Sequence, residues 1–350
     1  DARLDLPALT SANDGHFATS LVCSQCHSNE ASATAMRDAE GRAIAPYDLW
    51  QGSMMANSAR DPFWWAMVAA ETATFPSAKA AIEGECMRCH TPMAAIDGSF
   101  HGAGGPALDW LFAGDERASF GLDGVACAAC HQIQADGLGT PASYSGHYVI
   151  EPRGELYGPH ASPFTMPMKR HTGFTPTEGA QLLDSAHCGS CHTLVTDALT
   201  PAGAPSGHRL VEQGPYLEWR ASAYTTETDG SPGPDAASCQ DCHVPKTSVG
   251  GAAITTRIAR RPPGGDFPPV KPRAPFGRHT MVGGNAIMPL ILRDNADELR
   301  PRASAAALEA TAAAARAQLE ERTAEVSAAT ARAGDQLVID VHVRSLVGHT

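Results

Sequence analysis

The stretch LVCSQCHSNE, residues 21–30, places two thiols three positions apart and an imidazole directly after the second thiol. The same C-x-x-C-H frame returns as CMRCH at 86–90, CAACH at 127–131, CGSCH at 188–192 and CQDCH at 239–243. These five copies use all 10 cysteines of the 350-residue chain. Cysteines used for disulfides would show varied spacings, so the pattern leaves no thiol for structural cross-links.

Two other chemistries use C-x-x-C pairs. Four-cysteine zinc sites join two such pairs, so five pairs would leave one over, and zinc does not require a histidine at the next position. A thioredoxin-like dithiol needs one pair near a helix start in a βαβ pattern, which this sequence lacks. The repeated frame therefore favours covalent c-type haem, in which both cysteines form thioethers and the histidine ligates iron.

The sequence thus predicts five covalently bound haem c groups. The predicted thioether anchors are Cys23, Cys26, Cys86, Cys89, Cys127, Cys130, Cys188, Cys191, Cys239 and Cys242. The predicted proximal iron ligands are His27, His90, His131, His192 and His243.

Each haem iron also has a second axial position, and its occupant separates an electron carrier from an enzyme. Met54 and Met55 are candidates, because a thioether ligand raises the haem potential relative to two imidazoles, although Met also fills gaps in cores. His187 is too close to Cys188 for its own haem but could reach a neighbouring one. The histidines outside the motifs outnumber the five positions: His16, His101, His147, His160, His171, His187, His208, His279, His342 and His349.

The composition combines 33 Gly and 26 Pro with only 6% aromatic residues. This favours loops around cofactors and predicts a mostly α-helical fold with large irregular content, a multihaem cytochrome c wrapped around stacked haems. A proline-rich strap at 260–275 would return residues 275–285 to the body. We expect a pentahaem cytochrome domain at 1–295, an Ala-rich helix at 296–333 and a β-strand at 334–350.

The end of the chain changes character. Residues 303–326 are almost entirely helix formers, with Leu308, Ala312, Ala315, Leu319 and Val326 on one face. LVIDVHVRSLV at 337–347 then alternates as a strand. No pairing strand is evident upstream, so we expect the start of a truncated β domain or pairing with another chain.

The phrase P-Y-x-x-W-x-x-S occurs at 46–53 and at 215–222. Each copy precedes a C-x-x-C-H-x-P segment, ending at Pro92 and Pro245 respectively, so the sequence predicts two related units in which a short helix leads to a haem-bearing turn. Trp50 and Trp219 are best explained as core residues beside flat cofactors.

A net charge of −12 argues against nucleic acid and favours docking with basic redox proteins. No apolar run is long enough for a membrane span. The printed chain begins at Asp1 without a signal-like segment, so we expect that a secretory signal has been removed. Haem attachment to such motifs after export predicts a periplasmic or extracellular location.

With these motifs, the phrases WQGSMMANSARDPFWWA, SAHCGSCHTL, PYLEW, CQDCHVP and HTMVGGN resemble bacterial multihaem c-type cytochromes, the superfamily that includes pentahaem nitrite reductase and hydroxylamine oxidoreductase. The similarity spans roughly residues 20–350. It implies His171 and His279 as distal ligands, with His147 and His349 behind them. Related chains continue past G-H-K-x-P-T into a β domain, whereas this sequence reads VGHT and stops.

Three functions remain open. We expect electron transfer between redox partners or to an extracellular acceptor, with six-coordinate iron throughout and no catalytic residue. An oxidoreductase acting on a nitrogen or sulfur oxyanion would need one open iron; the resemblance implies a lysine in that motif for nitrite reductase, and all five motifs here end in histidine. The third function is a subunit of an extracellular cytochrome filament, in which the chain would form a homo-oligomer or a larger complex.

Overall fold

The structure is a computed structural model that describes residues 5–349. It contains 36% helix and 16% strand, so the fold is mixed rather than mostly α-helical. Most helices are short. They are α1 Ser20–His27, α2 Pro46–Trp50, α3 Pro62–Thr74, α4 Lys79–His90, α5 Pro92–Phe100, α6 Glu116–Leu122, α7 Cys127–Cys130, α8 Met166–Thr172, α9 Ser185–Gly189, α10 Pro215–Arg220, α11 Cys239–His243, α12 Met288–Asp294, α13 Ala296–Leu299 and α14 Ala305–Arg322.

The strands of the described residues form small two-stranded sheets. The pair β1 Glu155–Gly158 and β2 Thr175–Glu178 is parallel. The other pairs are antiparallel: β3 Leu194–Leu199 with β4 Pro205–Gln213, β5 Thr256–Arg257 with β6 Pro272–Arg273, and β7 Ala324–Ala333 with β8 Gln336–Ser345. Two-stranded ribbons are marginal alone, so these depend on packing against the rest of the chain.

Local capping explains where several helices begin. The Asp61 side chain accepts from the backbone N–H groups of Phe63 and Trp64 at the start of α3, and proline occupies the first helical position. Ser304 caps α14 in the same way. At α11, Ser238 and Asp241 form a reciprocal capping box that fixes the turn carrying Cys239.

The apolar core is divided into several clusters. One joins Phe17 and Trp50 to Phe120 and the motif residues Ala128 and Ala129. A second joins Trp64 in α3 to Leu292 in α12 and Leu308 in α14. The long C-terminal helix is therefore part of the body, and Leu308, Ala312 and Ala315 are buried as the stripe predicts.

The Ala-rich helix ends earlier than predicted. It stops at Arg322, and residues 324–333 form β7 rather than the last turns of the helix. Because β7 pairs with β8 over ten residue pairs, the strand predicted to lack an upstream partner has one immediately before it. Gly334, with φ of 64°, begins the two-residue turn, as type II′ hairpins require.

The β7–β8 hairpin is exposed on both faces. Its register places Val326, Ala328, Ile339, Val341 and Val343 on one side, so the predicted alternation of the last strand is confirmed. That apolar side is not buried in the described chain: Val326 is 69% exposed and Val343 68%. The opposite side carries the Glu325–Arg344 ion pair.

The proline-rich strap returns to the body as predicted. Thr34 and Ala35 donate to the Asp266 carboxylate, and Phe276 donates its N–H to the Ile254 carbonyl and is buried. This fixes the segment that carries His279. No helix among residues 5–349 is both long and apolar enough to cross a membrane.

Candidate cofactor-binding site

All five C-x-x-C-H motifs lie at helical turns, and their cysteines are free thiols. Motifs 1, 2 and 5 end the helices α1, α4 and α11 at their histidines. In motif 3, α7 spans the two cysteines and His131 is the C-cap. In motif 4, α9 ends at Gly189, inside the motif. Helical spacing puts the two thiols of a motif one turn apart on one face, as a single cofactor would require.

The motifs meet through their thiols. Cys23 of motif 1 is hydrogen-bonded to Cys127 of motif 3, and Cys188 of motif 4 to Cys239 of motif 5. Both contacts join the first cysteines of their motifs.

The second cysteines meet as well. Cys89 of motif 2 is hydrogen-bonded to Cys191 of motif 4, and Cys130 of motif 3 lies close enough for its charge to interact with that of Cys191. Tyr148 is buried among these three thiols and donates its hydroxyl to the Arg88 carbonyl at 2.7 Å. Motif 1 therefore contacts motif 3, motif 4 contacts motif 5 and motif 2 contacts motif 4, while motifs 3 and 4 are close enough for their charges to interact. This arrangement differs from the sequence order.

The two thiol contacts between first cysteines belong to a structural repeat. Ser20 and Ser185 each lie three residues before the first cysteine of motifs 1 and 4. Ser20 donates its N–H and hydroxyl to Asp123, just before motif 3, and the Ser185 hydroxyl accepts from the N–H of Cys239 in motif 5. The repeating unit is thus motif 1 with motif 3, and motif 4 with motif 5.

The P-Y-x-x-W helices α2 and α10 follow this repeat. Trp50 donates its indole N–H to the Val125 carbonyl at 3.1 Å, and Trp219 donates to Ala237 at 2.8 Å. Each acceptor lies two residues before the motif cysteine. The repeated sequence phrase predicted that the first unit leads to motif 2. That prediction is wrong, because Trp50 contacts the residues just before motif 3. Both Trp side chains are core residues, 4% exposed.

Four of the five motif histidines donate Nδ1–H to a backbone carbonyl. His27 donates to Ile258 at 2.8 Å and His131 to Tyr157 at 2.6 Å. His90 donates to Ser58 and His243 to Val282, at 3.2 and 2.7 Å. This hydrogen bond fixes the tautomer whose Nε2 lone pair is available to a metal, which is the usual arrangement around ligating histidines.

Burial lowers the pKa of every motif histidine, so each is neutral near pH 7. The His192 side chain is exposed, yet desolvation by the surrounding protein and then the charges of His243, His349 and His90 lower its pKa to about 4. A neutral imidazole is the form that binds metal. The five histidines are therefore chemically suited to iron.

Two candidate distal histidines lie opposite motif histidines. The ring centroids of His279 and His131 are 6.4 Å apart with the planes at 22°, and those of His349 and His243 are 5.9 Å apart at 26°. His279 also donates Nδ1–H to the Gly277 carbonyl. A metal with nitrogen bonds of about 2 Å on either side would separate two coaxial imidazole centroids by about 6 Å. Both spacings fit.

The chain matches no protein-family model, no curated protein and no solved structure.

The structure places the other two predicted histidines differently. His171 is exposed in α8, and its Nε2–H donates to the Gln25 side chain within motif 1. His147 is exposed, and its Nε2 accepts from Arg88 within motif 2 at 2.7 Å. Both lie beside a motif, but their Nε2 atoms are already hydrogen-bonded, unlike the arrangement at His279.

The remaining candidates are scattered. Met54 packs against the cluster of Trp64 and Leu308, and the Met55 carbonyl accepts the N–H of Val125 before motif 3. His187 lies near His131, and burial lowers its pKa to about 4. The other positions are as follows: His16 half-buried beside His101, His101 exposed beside Asp97, His160 half-buried, and His208 and His342 exposed on strands.

Sequence reasoning missed two features. The serines three residues before the cysteines were visible, because SLVCSQCH and SAHCGSCH share S-x-x-C-x-x-C-H. The second feature is Trp64, whose ring stacks on His90 with centroids 4.8 Å apart and planes at 4°. Nothing in the sequence distinguishes Trp64 from its neighbour Trp65.

Proposed function

We propose that this chain is an exported pentahaem cytochrome c that transfers electrons between redox proteins or to an extracellular acceptor. The observation that carries the proposal is the state of the motif histidines. They are neutral, and four of them are held through Nδ1 so that Nε2 is left for iron. Zinc knuckles would not need this histidine arrangement in every motif.

The chain supplies the attachment and the ligands. The ten cysteines provide the thioether anchors and the five motif histidines the proximal ligands. His279 and His349 would complete two of the irons, opposite His131 and His243. When bound, the haems supply one-electron redox chemistry whose potential depends on axial ligand, burial and hydrogen bonding. The multihaem superfamily that the sequence resembles fits this assignment.

The contacts between motifs define a relay order. Thiol contacts join motif 1 to motif 3, motif 4 to motif 5 and motif 2 to motif 4, and motifs 3 and 4 are linked by the charge interaction of Cys130 with Cys191. Close contact between attachment sites keeps neighbouring cofactors close. The net charge of −12 favours association with basic redox partners, and the periplasm or the cell exterior is the compartment in which such motifs acquire haem.

Mass spectrometry and the absorption spectrum of the purified protein test the proposal. We expect a coloured protein whose mass exceeds that of the polypeptide by five haems. Replacing both cysteines of motif 5, Cys239→Ala with Cys242→Ala, should remove one haem and leave four. A colourless protein with the mass of the bare polypeptide would end the proposal.

Low-temperature EPR with added cyanide separates the carrier from an enzyme. An electron carrier should show five low-spin irons whose EPR signals do not change when cyanide is added. An iron that is high-spin and responds to cyanide would instead support an oxidoreductase acting on a nitrogen or sulfur oxyanion.

The exposed hairpin favours a second candidate function, the subunit of an extracellular cytochrome filament built from copies of this chain. Its apolar side carries Val326, Ile339 and Val343, all more than half exposed, and both outer strand edges are unpaired within the described chain. Electron microscopy of the purified protein tests this. Filaments that are lost in Ile339→Lys but kept in Asp340→Lys, on the opposite side of the hairpin, would support it; monomers would exclude it.

A further inference from the structure

A buried cluster of two arginines and one aspartate contains no motif residue. Arg60 is 1% exposed, Asp123 is 0% exposed and the Arg302 side chain is 3% exposed. Asp123 accepts from the N–H and hydroxyl of Ser20 and is ion-paired with Arg302. The Arg302 guanidinium also lies over the Trp50 ring, 5.4 Å from its centroid.

Several N–H donors of this cluster have no hydrogen-bond acceptor. Arg60 Nη1 donates to the carbonyls of Pro7 and Leu299, at 3.2 and 3.1 Å. Arg60 Nη2 and the Nε and Nη1 atoms of Arg302 are buried and have no acceptor among the described residues. Buried donors are almost always paired in folded proteins, so three orphan donors on two neighbouring guanidinium groups indicate a missing acceptor.

The cluster also has more positive than negative charge. Two arginines face one carboxylate, and Arg300, which lies nearby, adds to the positive field at Arg60. Burial and the charge of Arg302 lower the pKa of Arg60 to about 10, which still leaves it protonated near neutral pH. The Tyr47 hydroxyl interacts with Arg302, but burial raises the pKa of Tyr47 and keeps it neutral, so it can accept a hydrogen bond and supplies no negative charge. The cluster keeps one positive charge without a partner, which is unfavourable in a buried site.

We propose that Arg60 and Arg302 together bind a carboxylate, which supplies both the missing charge and the missing acceptors. Guanidinium groups suit carboxylates in charge and in donor geometry. The inference rests on the proposed function for its favoured source, a haem propionate. Ser20 begins the helix of motif 1, and Ser58, which holds His90 of motif 2, is two residues before Arg60. A free carboxylate from solution is the other source.

The test compares wild type with Arg60→Gln, which removes the charge but keeps an amide donor. Arg42→Gln is the matched control, because the Arg42 side chain is 45% exposed and already pairs with the carboxylates of Asp38 and Glu40. Haem content is measured first by mass. The potentials of the individual haems are then titrated across neutral pH, and the melting temperature is measured with and without added acetate.

A propionate in the site predicts that Arg60→Gln lowers the potential of one haem and makes it pH-dependent, because an unpaired carboxylate takes up a proton on reduction. The other four potentials and the Arg42→Gln protein should not change. A free carboxylate predicts that acetate raises the melting temperature of wild type but not of Arg60→Gln. If acetate has no effect and no single haem responds, the inference is overturned.

Two further measurements keep the test decisive. If Arg60→Gln does not fold, Arg60→Lys keeps the charge and removes the orphan Nη2, and the acetate series on wild type needs no variant. A protein without haem would defeat the proposed function, yet the acetate series would still decide whether the arginines bind a carboxylate. Failure of the inference with five haems present would leave the proposed function intact.

Discussion

His279 and His171 differ in what their ring nitrogens already contact. His279 is opposite His131 and donates through Nδ1, whereas His171 is exposed and uses Nε2 to bind Gln25. If the chain carries five haems as proposed, we expect His279→Ala to convert one low-spin iron to a high-spin or water-ligated form, because the proposed axial ligand is lost. His171→Ala should leave all five spectra unchanged. EPR and visible absorption report both.

The opposite result, with His171→Ala changing an iron and His279→Ala changing none, would contradict the placement of these two side chains. His349→Ala is a second case, since His349 lies opposite His243. It should affect a different iron from His279→Ala, and the double variant should affect two.

Gly189 shows how tightly motif 4 is packed. A Cβ at this position would lie 2.6 Å from the ring of Tyr216, which is itself 1% exposed and cannot move aside easily. We expect Gly189→Ala to destabilise the protein by about 1 to 3 kcal/mol through overpacking. Chemical denaturation measures this. Gly158→Ala, where a Cβ meets nothing within 4 Å, is the matched control and should be close to neutral.

The proposed proximal ligands follow directly from the sequence, because five adjacent residues define each motif. The family resemblance also indicates His279 and His349, but the sequence cannot pair them with His131 and His243, because the partners are far apart in the chain and meet only through the fold. His147 and His171 were reasonable choices on sequence grounds, since each does lie beside a motif. What sequence spacing could not reveal is which nitrogen remains available after local hydrogen bonding.

At the level of elements, the apolar stripe predicted for helix α14 is buried at one end and exposed at the other. Leu308 and Leu319 both belong to that stripe, but Leu308 is 1% exposed and Leu319 46%. We expect Leu308→Ala to cost about 3 kcal/mol, because it leaves a cavity among Trp64, Leu292 and Leu299. Leu319→Ala should cost less than about 1 kcal/mol. Equal effects in urea unfolding would contradict this packing.

The Asp266 carboxylate is one anchor of the strap. Asp266 accepts from the Thr34 hydroxyl at 2.5 Å and from the N–H groups of Thr34 and Ala35 at 2.9 and 2.8 Å. Hydrogen bonds to a charged acceptor are among the stronger ones, so Asp266→Asn should lose about 1 to 3 kcal/mol at neutral pH. Thermal unfolding of the variant checks this, with exposed Asp229→Asn as control.

The same carboxylate sets a pH dependence. The Thr34 hydrogen bond, followed by the backbone N–H groups of Ala35 and Thr34, lowers the pKa of Asp266 in the folded protein. Its contribution is therefore complete above the unfolded pKa of about 3.9 and is lost as the pH falls through the lower folded value. The stability gap between wild type and Asp266→Asn should be constant near neutral pH and should narrow in acid. A gap that widened in acid would contradict the assignment.

The end of α14 was predicted too late because local composition favours helix on both sides of Thr323. Residues 324–333 include five alanines, which a helix would accept, and nothing before Gly334 interrupts the pattern. Pairing with β8 overrides this preference, since each residue of β7 gains a partner in the hairpin. Helix propensity is a property of one segment, so it cannot predict that the segment will pair as a strand with the next one.

Across the whole molecule, the motif order in space is the property least accessible to sequence. Motifs 1 and 2 are neighbours in the chain, yet motif 1 contacts motif 3 and motif 2 contacts motif 4. The repeat of serine, tryptophan and first-cysteine contacts explains this, because it pairs motif 1 with 3 and motif 4 with 5. Motif 2 lies outside that repeat.

The sulfur contacts between motifs also bear on how such a chain matures. Cys23 touches Cys127 and Cys188 touches Cys239, so a chain that folded with bare thiols in an oxidising compartment would place the wrong partners side by side for disulfide formation. Each such cross-link would use one cysteine from each of two different motifs. The proposed haem attachment would therefore have to modify these sulfurs, or they would have to stay reduced, before the polypeptide adopts its final shape.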